Sequence, residues 1–256
     1  MSVQDSNGSL TTIIKNKIAT LQFAHPASNS FPRQLLDLLT AELNKLSENS
    51  EVSVIILKSE GSGAFCAGAS FDELLAVTNL EEGKYFFSGF AHLINAMRRC
   101  KKIIVGRVHG KTVGGGVGIA SACDYVFASK NASIKLSELA IGIGPFVIEP
   151  AVSRKIGKTA LAEMTLSAHE WKSADWALAK GLYAATYEKT EELDEALVNF
   201  CAKLANYNPE ALVEMKKVFW EGTENWDQVL IDRAAISGKL VLSDFTRNAL
   251  EQFKKQ

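Results

Sequence analysis

The sequence predicts an α/β fold in which a layered core of strands and helices is followed by a helical C-terminal region. Over the first part of the chain, short apolar segments of strand length alternate with segments whose apolar residues have helical spacing. From Ala151 onward the pattern is almost entirely helical. We therefore divide the chain into a core domain, residues 1–195, and a helical region, residues 196–256.

Composition limits the classes of function that fit this chain. The 256 residues are 47% hydrophobic, which is enough for one large core. Lys and Arg total 28 and Asp and Glu total 29, so charge favours neither nucleic acid nor a membrane as the main partner. The N-terminal segment is polar and no apolar stretch is long enough to span a bilayer, so we expect a soluble cytoplasmic protein without a signal peptide.

The four cysteines are far apart in the sequence and form no C-x-x-C pair. Their spacing favours reduced thiols that pack as small apolar side chains.

Residue patterns predict the individual elements of the core. Segments 11–15 and 18–23 are expected to form two strands joined by a turn, and apolar residues at 35, 36, 39 and 43 predict a helix over 31–46. The elements expected next are a buried strand at 52–57, helices beginning at 70 and at about 84, a strand at 103–105, a small-residue helix at 115–121 and strands at 124–128 and 133–135.

The last third is predicted to contain five helices. Their expected positions are 160–166, 173–180, 191–205, 209–221 and 227–253.

Two glycine-rich segments look like nucleotide-binding motifs but lack the required spacing. Gly106 and Gly110 are one residue too close for a P-loop, and the segment from Gly114 to Gly118 does not fit a dinucleotide fingerprint. Two explanations remain for these glycines. The helix start packs tightly against a strand, or another group approaches the backbone closely. Free N–H groups at a helix start would suit a developing oxyanion.

An ordered set of motifs resembles the crotonase family, the enoyl-CoA hydratase/isomerase superfamily, and within it bacterial 3-methylglutaconyl-CoA hydratase-like members. The resemblance covers nearly the whole chain and implies a crotonase (ClpP-like) spiral of ββα units with a C-terminal helical trimerisation region. The matching segments are 65–69, 108–110 running into 114–116, 123–124, 137–139 with Gly142, 157–158, 174–182 and 208–216.

The resemblance also implies the residues of the site. The backbone N–H groups of Ala69 and Gly115 are expected to hold the carbonyl oxygen of a CoA thioester, and Glu138 is expected to transfer the proton. An enolate formed beside the thioester places its charge on that oxygen, so fixed donors stabilise it. The residues expected to contact substrate are Ala67, Gly68, Phe71, Leu74, Gly114 and Phe146.

The chain departs from the pattern of family hydratases that use two glutamates. Gly118 stands where the first glutamate is expected. Glu149 is a candidate second acid, and it is also the kind of acidic residue that a helix N-terminus favours. An aromatic residue at Phe146 argues against dienoyl isomerisation, since dienoyl isomerases carry an acid near this position.

Several activities stay open at this point. Hydration of a 2-enoyl-CoA by a lyase is favoured. Double-bond isomerisation, decarboxylation of a carboxyacyl-CoA, and a non-catalytic acyl-CoA-binding or RNA-binding relative are the alternatives. The resemblance implies an acyl-CoA substrate and a homotrimer or dimer of trimers. It implies no metal and no cofactor beyond the coenzyme A of the substrate.

Overall fold

The computed structural model of the chain describes residues 7–254. The polar N-terminal segment, from which we expect no signal peptide, lies mostly outside these described residues. The strands are β1 Ser9–Lys15, β2 Ile18–Ala24, β3 Val54–Ser59, β4 Ile103–Val108, β5 Thr112–Val113, β6 Tyr125–Ser129, β7 Ser133–Lys135, β8 Lys172–Ser173 and β9 Ala185–Tyr187. The helices are α1 Arg33–Glu48, α2 Phe71–Ala76, α3 Leu80–Arg99, α4 Gly115–Ala122, α5 Glu149–Leu166, α6 Ala174–Ala179, α7 Thr190–Ala205, α8 Pro209–Phe219, α9 Trp226–Leu240 and α10 Asp244–Lys254, with a 3-10 turn at Glu138–Ile141.

The strands form a large and a small sheet. The large sheet has the order β1-β2-β3-β4-β6-β9, and the small sheet has the order β5-β7-β8. The hairpin strands β1 and β2 are antiparallel, whereas every other pair in the large sheet is parallel. Parallel strands need crossover connections, which the helices between them supply. Alternating strands and helices in the first part of the chain were predicted and are present.

Helices cover the large sheet on both faces. In β3, Ile55 and Leu57 belong to the main core with α1, while Val54 and Ile56 face α7 in a second apolar cluster. This alternation follows from the two-residue period of a strand, and burial of both faces explains why residues 54–57 are all apolar. The predicted boundary between residues 195 and 196 falls within α7, which packs on this sheet.

The helical reading of the last third was wrong in two places. The helix predicted at 227–253 is two helices, α9 and α10, and the hydroxyl of Ser243 accepts a hydrogen bond from the backbone N–H of Thr246 at the start of α10. A serine in this position satisfies a free N–H of the first turn and so favours a new helix start. Among residues 7–254, no helix is long and apolar enough to cross a bilayer.

Strands β8 and β9 are the second difference. The segment after Ala151 was expected to be almost entirely helical, but β8 pairs with β7 and β9 pairs with β6 at the edge of the large sheet. Both strands have three residues or fewer. Such segments are too short to show a period, so their partners in the folded chain determine their conformation.

A buried ion pair joins the C-terminal helices to the core. The Asp124 carboxylate lies 2.9 Å from the ammonium of Lys216 on α8, and these side chains are 2% and 3% exposed. The same carboxylate accepts hydrogen bonds from the backbone of Ile104 and from the Trp220 indole, both at 2.8 Å. Lys216 also donates to the carbonyl of Lys102 at 2.7 Å. Each charge therefore has partners, which buried charges require.

Replacing Lys216 with methionine is expected to destabilise the protein by about 3–5 kcal/mol, because the Asp124 carboxylate would stay buried without its cation. Urea unfolding followed by circular dichroism, at one fixed protein concentration, measures the change. Lys217→Met is the matched control, since Lys217 is exposed and pairs with Glu214 within the same helix. Equal unfolding midpoints for the two variants would contradict the role given to the ion pair.

Candidate active site

Two loops that were predicted to act together are joined by backbone hydrogen bonds. Cys66 and Thr112 form a parallel bridge in which the N–H of Cys66 donates to the carbonyl of Lys111 at 3.3 Å. The N–H of Val113 donates in turn to the carbonyl of Cys66 at 2.9 Å. These bonds hold the segment that leads to Ala69 beside the segment that leads to Gly115.

The N–H group of Ala69 is left free by the pairing around it. Ala69 forms a bridge with Phe31, in which the N–H of Phe31 donates to Gly68 at 2.8 Å and the N–H of Ser70 donates to Phe31 at 2.9 Å. In a parallel bridge the central residue points its own N–H away from the partner strand. Among the described residues, no acceptor bonds to the N–H of Ala69.

Gly115 is the first residue of α4, so its N–H has no partner within the helix. The preceding Gly114 has a φ of +51°, a value that glycine adopts without strain, and its N–H donates to the carbonyl of Lys135 at 2.9 Å. Gly115 also approaches Phe90 closely, since a Cβ at this position would lie 2.2 Å from the Phe90 ring. The backbone therefore places a free N–H at the positive end of α4.

A cavity of about 310 Å³ lies in front of these two N–H groups. Its walls are mostly apolar, as is usual for sites that bind small molecules. The structure brings eight of the residues predicted from the sequence to this cavity: Ala67, Gly68, Ala69, Phe71, Leu74, Gly115, Glu138 and Phe146. Gly114 does not line it but lies behind the carboxyl group of Glu138, where an added Cβ would be 2.9 Å from Oε1.

Glu138 begins the 3-10 turn and faces the cavity. Its Oε2 atom is buried and has no hydrogen-bond partner among the described residues. Burial raises the pKa of the Glu138 carboxyl to about 7, and a hydrogen bond from its own backbone opposes this shift. A carboxyl group with this pKa can accept and return a proton near neutral pH.

The position of the missing glutamate has no room for a side chain. A Cβ at Gly118 would lie 2.4 Å from the Ile148 side chain, and Ile148 itself lines the cavity. The absence of the first glutamate and the bulky residue at 148 are therefore two parts of one packing arrangement.

The other candidate acid, Glu149, lies outside the cavity. It begins α5, and its carboxylate forms ion pairs with Lys158 and Arg233. The structure therefore does not bring Glu149 to Glu138. Glu149 instead lies at the start of a helix, where an acidic side chain is favoured by the helix dipole.

Cys66 and His109 do not offer a nucleophile or a charged base here. Burial raises the pKa of the Cys66 thiol to about 12, so it stays protonated. Burial lowers the pKa of His109 to about 4, and its ring nitrogens have no hydrogen-bond partner among the described residues. Within residues 7–254, no group of three or more His, Cys, Asp or Glu side chains could hold a metal ion.

Several cavity residues were missed by the sequence analysis. Phe90 appeared in the sequence only on the apolar face of α3, and Lys135 only as a residue of a short strand. Their helix and strand patterns predict burial, but only the packing of distant elements shows which of them border a cavity. The missed residues that line it are Phe90, Val113, Lys135, Ser137, Ala140, Ile141, Ile143, Ala168, His169 and Ser237. The cavity is also lined by Phe87, Gly144, Pro145, Val147 and Ile148.

Comparison with known proteins identifies relatives of the whole chain. A family model described as enoyl-CoA hydratase/isomerase matches residues 13–251. The short-chain-enoyl-CoA hydratase of Clostridium acetobutylicum is 26% identical over 242 residues, covering 93% of this chain and 92% of that protein. The human mitochondrial methylglutaconyl-CoA hydratase is 29% identical over 189 residues, covering 73% of this chain and 55% of that protein.

Solved structures share the fold. The crystal structure of enoyl-CoA hydratase from Bacillus halodurans has a TM-score of 0.88 at 21% identity, and the match covers 95% of this chain and 99% of that one. This likeness confirms the predicted spiral of ββα units with a helical C-terminal region.

Replacing Glu138 with glutamine is expected to change how stability depends on pH. The folded-state pKa of about 7 is above the ordinary value of 4.5, so wild type loses stability as pH rises from 4.5 through 7, by up to about 3 kcal/mol. Glutamine does not titrate, so the stability of the variant relative to wild type should rise over this interval and level off above it. Urea unfolding of both proteins from pH 4.5 to 8.5 measures the difference. A difference that does not change with pH would contradict the raised pKa.

Proposed function

Because its residues 13–251 match the family model, the chain belongs to the enoyl-CoA hydratase/isomerase family, and we propose that it hydrates the double bond of a 2-enoyl-CoA thioester. One observation carries the proposal. The free N–H groups of Ala69 and Gly115 and the buried carboxyl of Glu138 border the same cavity. These are the groups needed to hold a thioester enolate and to move a proton beside it.

The two N–H groups act on the thioester carbonyl. When hydroxide adds to the β-carbon, the electrons of the double bond move towards the carbonyl and its oxygen gains negative charge. Hydrogen bonds from Ala69 and Gly115 strengthen as this charge develops, and the dipole of α4 adds to them at Gly115. Each such donor is worth roughly 3–4 kcal/mol of the barrier. The apolar walls, which include Phe90, increase the effect because they exclude water.

Glu138 supplies the proton transfer. In its carboxylate form it takes a proton from a water molecule while the oxygen of that water bonds to the β-carbon. It then gives the same proton to the α-carbon, the enolate collapses and the carboxylate is restored. A pKa of about 7 suits a group that must act first as base and then as acid.

Isomerisation of a 3-enoyl-CoA is a second candidate, and the packing of Gly118 against Ile148 favours it. That packing leaves no space for a side chain at position 118, so no second carboxylate from this position helps Glu138 to orient a water molecule. Moving a proton from the α-carbon to the γ-carbon needs no water and only one carboxyl group. Both reactions pass through the same enolate, so the product tells them apart.

We also propose the homotrimer or dimer of trimers that the family resemblance implies. Exposed apolar side chains on the C-terminal helices support an assembly of this kind, because contact between subunits would remove them from water. These side chains are Met215, Val218 and Phe219 of α8, Ile236 of α9 and Phe245 of α10. The mass of the protein in solution, measured by light scattering, tests the assembly.

Products formed in oxygen-18 water will identify the reaction. A panel of 2-enoyl, 3-enoyl and 3-methylglutaconyl thioesters of CoA is incubated with the enzyme and analysed by mass spectrometry. Hydration is expected to give a 3-hydroxyacyl product that carries labelled oxygen. A product of unchanged mass with a shifted double bond would show that the reaction is isomerisation and not hydration. Loss of carbon dioxide would indicate decarboxylation. No turnover of any thioester would contradict an enzymatic role.

The Glu138→Gln variant is expected to lose at least about a hundredfold in kcat while still binding CoA thioesters, since glutamine keeps the shape of the side chain but cannot transfer the proton. Steady-state kinetics and calorimetric binding measure the two quantities. Glu149→Gln is the matched control and should keep most of its turnover, because Glu149 lies in ion pairs outside the cavity. A larger loss of kcat in the Glu149 variant than in the Glu138 variant would show that Glu138 is not the residue that transfers the proton.

A further inference from the structure

Ser237 places a hydroxyl group at the wall of an otherwise largely apolar cavity. It lies on α9, lines the cavity and is 1% exposed. The helix is fixed at this point, because the next residue, Gly238, packs directly against the backbone of Gly83 on α3. Ser137 is the other serine that lines the cavity, and it is only partly buried. The hydroxyl of Ser237 is therefore held at a defined place, deep in the protein.

This hydroxyl has no hydrogen-bond partner among residues 7–254. Hydroxyls inside helices commonly bond to a carbonyl of the preceding turn, as those of Thr40 and Ser153 do at 2.7 and 3.3 Å. The unpartnered hydroxyl of Ser121 is sealed from solvent, whereas that of Ser237 is not, and the space in front of it is the cavity. Because a buried hydroxyl without a partner costs free energy, this one favours a polar atom in the cavity.

The preceding turn of α9 brings Ser237 towards the position of the missing glutamate. One turn before Ser237, Arg233 forms an ion pair with Glu149. Glu149 follows Ile148, the residue that lines the cavity and fills the space beside Gly118. Ser237 therefore approaches from α9 the part of the cavity that lies next to position 118.

The following turn of α9 lies against the segment that begins at Glu138. Val241, one turn after Ser237, belongs to an apolar cluster with Ile143, and Ile141 packs against this cluster. Both isoleucines line the cavity and come shortly after Glu138 in the chain. α9 therefore also brings Ser237 towards the segment that carries the proposed acid and base.

Hydration brings two polar groups of the reactants into the cavity, the thioester carbonyl and the water molecule. In the proposed function the N–H groups of Ala69 and Gly115 bind the carbonyl oxygen. The carbon chain of a simple 2-enoyl group carries no further polar atom. The water molecule is therefore the reactant that can bond to the hydroxyl of Ser237.

We propose that Ser237 is a further catalytic residue of the hydration, whose hydroxyl binds the attacking water molecule. One hydrogen of this water points to the Glu138 carboxylate and is transferred to it. The other hydrogen is donated to Oγ of Ser237, which leaves a lone pair of the water oxygen free to bond to the β-carbon. Ser237 keeps its own proton throughout, and the second hydrogen stays on the oxygen as part of the 3-hydroxyl group of the product. This inference rests on the proposed function, since it completes the binding of water in that reaction.

Binding of two saturated four-carbon thioesters tests the proposal without requiring turnover. 3-Hydroxybutanoyl-CoA carries the oxygen that the water supplies, and butanoyl-CoA lacks it. Calorimetry in the Glu138→Gln background, where neither thioester reacts, gives the Kd of butanoyl-CoA and of each enantiomer of the hydroxy compound. For the enantiomer that binds more tightly, Ser237→Ala should lower the preference over butanoyl-CoA by about threefold to tenfold. Ser237→Thr, which keeps a hydroxyl, should largely preserve it.

Ser121→Ala is the matched control. It also removes a buried helical hydroxyl that has no partner among the described residues, but Ser121 does not line the cavity, so the preference should stay at its starting value. A preference that Ser237→Ala leaves unchanged would overturn the proposal, and so would an equal fall in Ser121→Ala. An equal weakening of both thioesters in Ser237→Ala would also overturn it, because Ser237 would then only shape the wall.

Kinetics with Glu138 in place separates this inference from the proposed function. Ser237→Ala should lower kcat for hydration of 2-butenoyl-CoA by at least about tenfold and change KM by less than about threefold. Exchange of the α-hydrogens of butanoyl-CoA in deuterium oxide forms the enolate without adding water to the β-carbon, so its rate should stay near that of wild type. Equal losses of hydration and exchange would reject the role of Ser237 and keep the function. Absence of hydration in wild type, with the calorimetric effect of Ser237→Ala intact, would reject the function and keep the hydroxyl-binding site.

Discussion

Backbone pairing between Cys66 and Thr112 sets the distance between the two loops on which the rest of the site depends. The pairing holds the segment that ends at Ala69 against the segment that leads into α4. A third segment is joined at Gly114, whose N–H donates to Lys135 on β7. Because all three contacts are made by main-chain atoms, the positions of the N–H donors depend little on side-chain identity. The exceptions are glycines that leave no space for a Cβ, such as Gly115 against Phe90.

Burial of Glu138 has opposite effects on stability and on chemistry. Its carboxyl group lies against the backbone of Gly114 in an apolar cavity, so the charged form loses hydration and the folded protein is less stable when the group ionises. The same environment raises the pKa to about 7, where the group can act as base and as acid. Ile148 fills the space beside Gly118, so in the hydration that we propose this one carboxyl performs both proton transfers.

The C-terminal helices pack against the core and against residues at the walls of the cavity. The buried Asp124–Lys216 pair holds α8 against the core. The side chain of Phe245 on α10 packs against Gly142 at the end of the 3-10 turn that begins at Glu138. Val241 and Leu250 join an apolar cluster with Leu74, which lines the cavity. Changes in these helices therefore reach the wall of the cavity through packing.

The sequence by itself determined the α/β architecture and most helix positions, because periodicity and glycine-rich turns act locally. The expectations for Ala69, Gly115 and Glu138 came from the resemblance of their motifs to a known family. It did not determine the short strand β9 or the break between α9 and α10, which depend on partners far along the chain or on a single cap. Only the tertiary structure separated Glu149 from the cavity and brought Lys135 to its edge. Both residues carry a charged side chain and lie within about a dozen residues of Glu138 in the sequence. They differ in their contacts after folding, since Glu149 pairs with Lys158 and Arg233 whereas Lys135 lines the cavity.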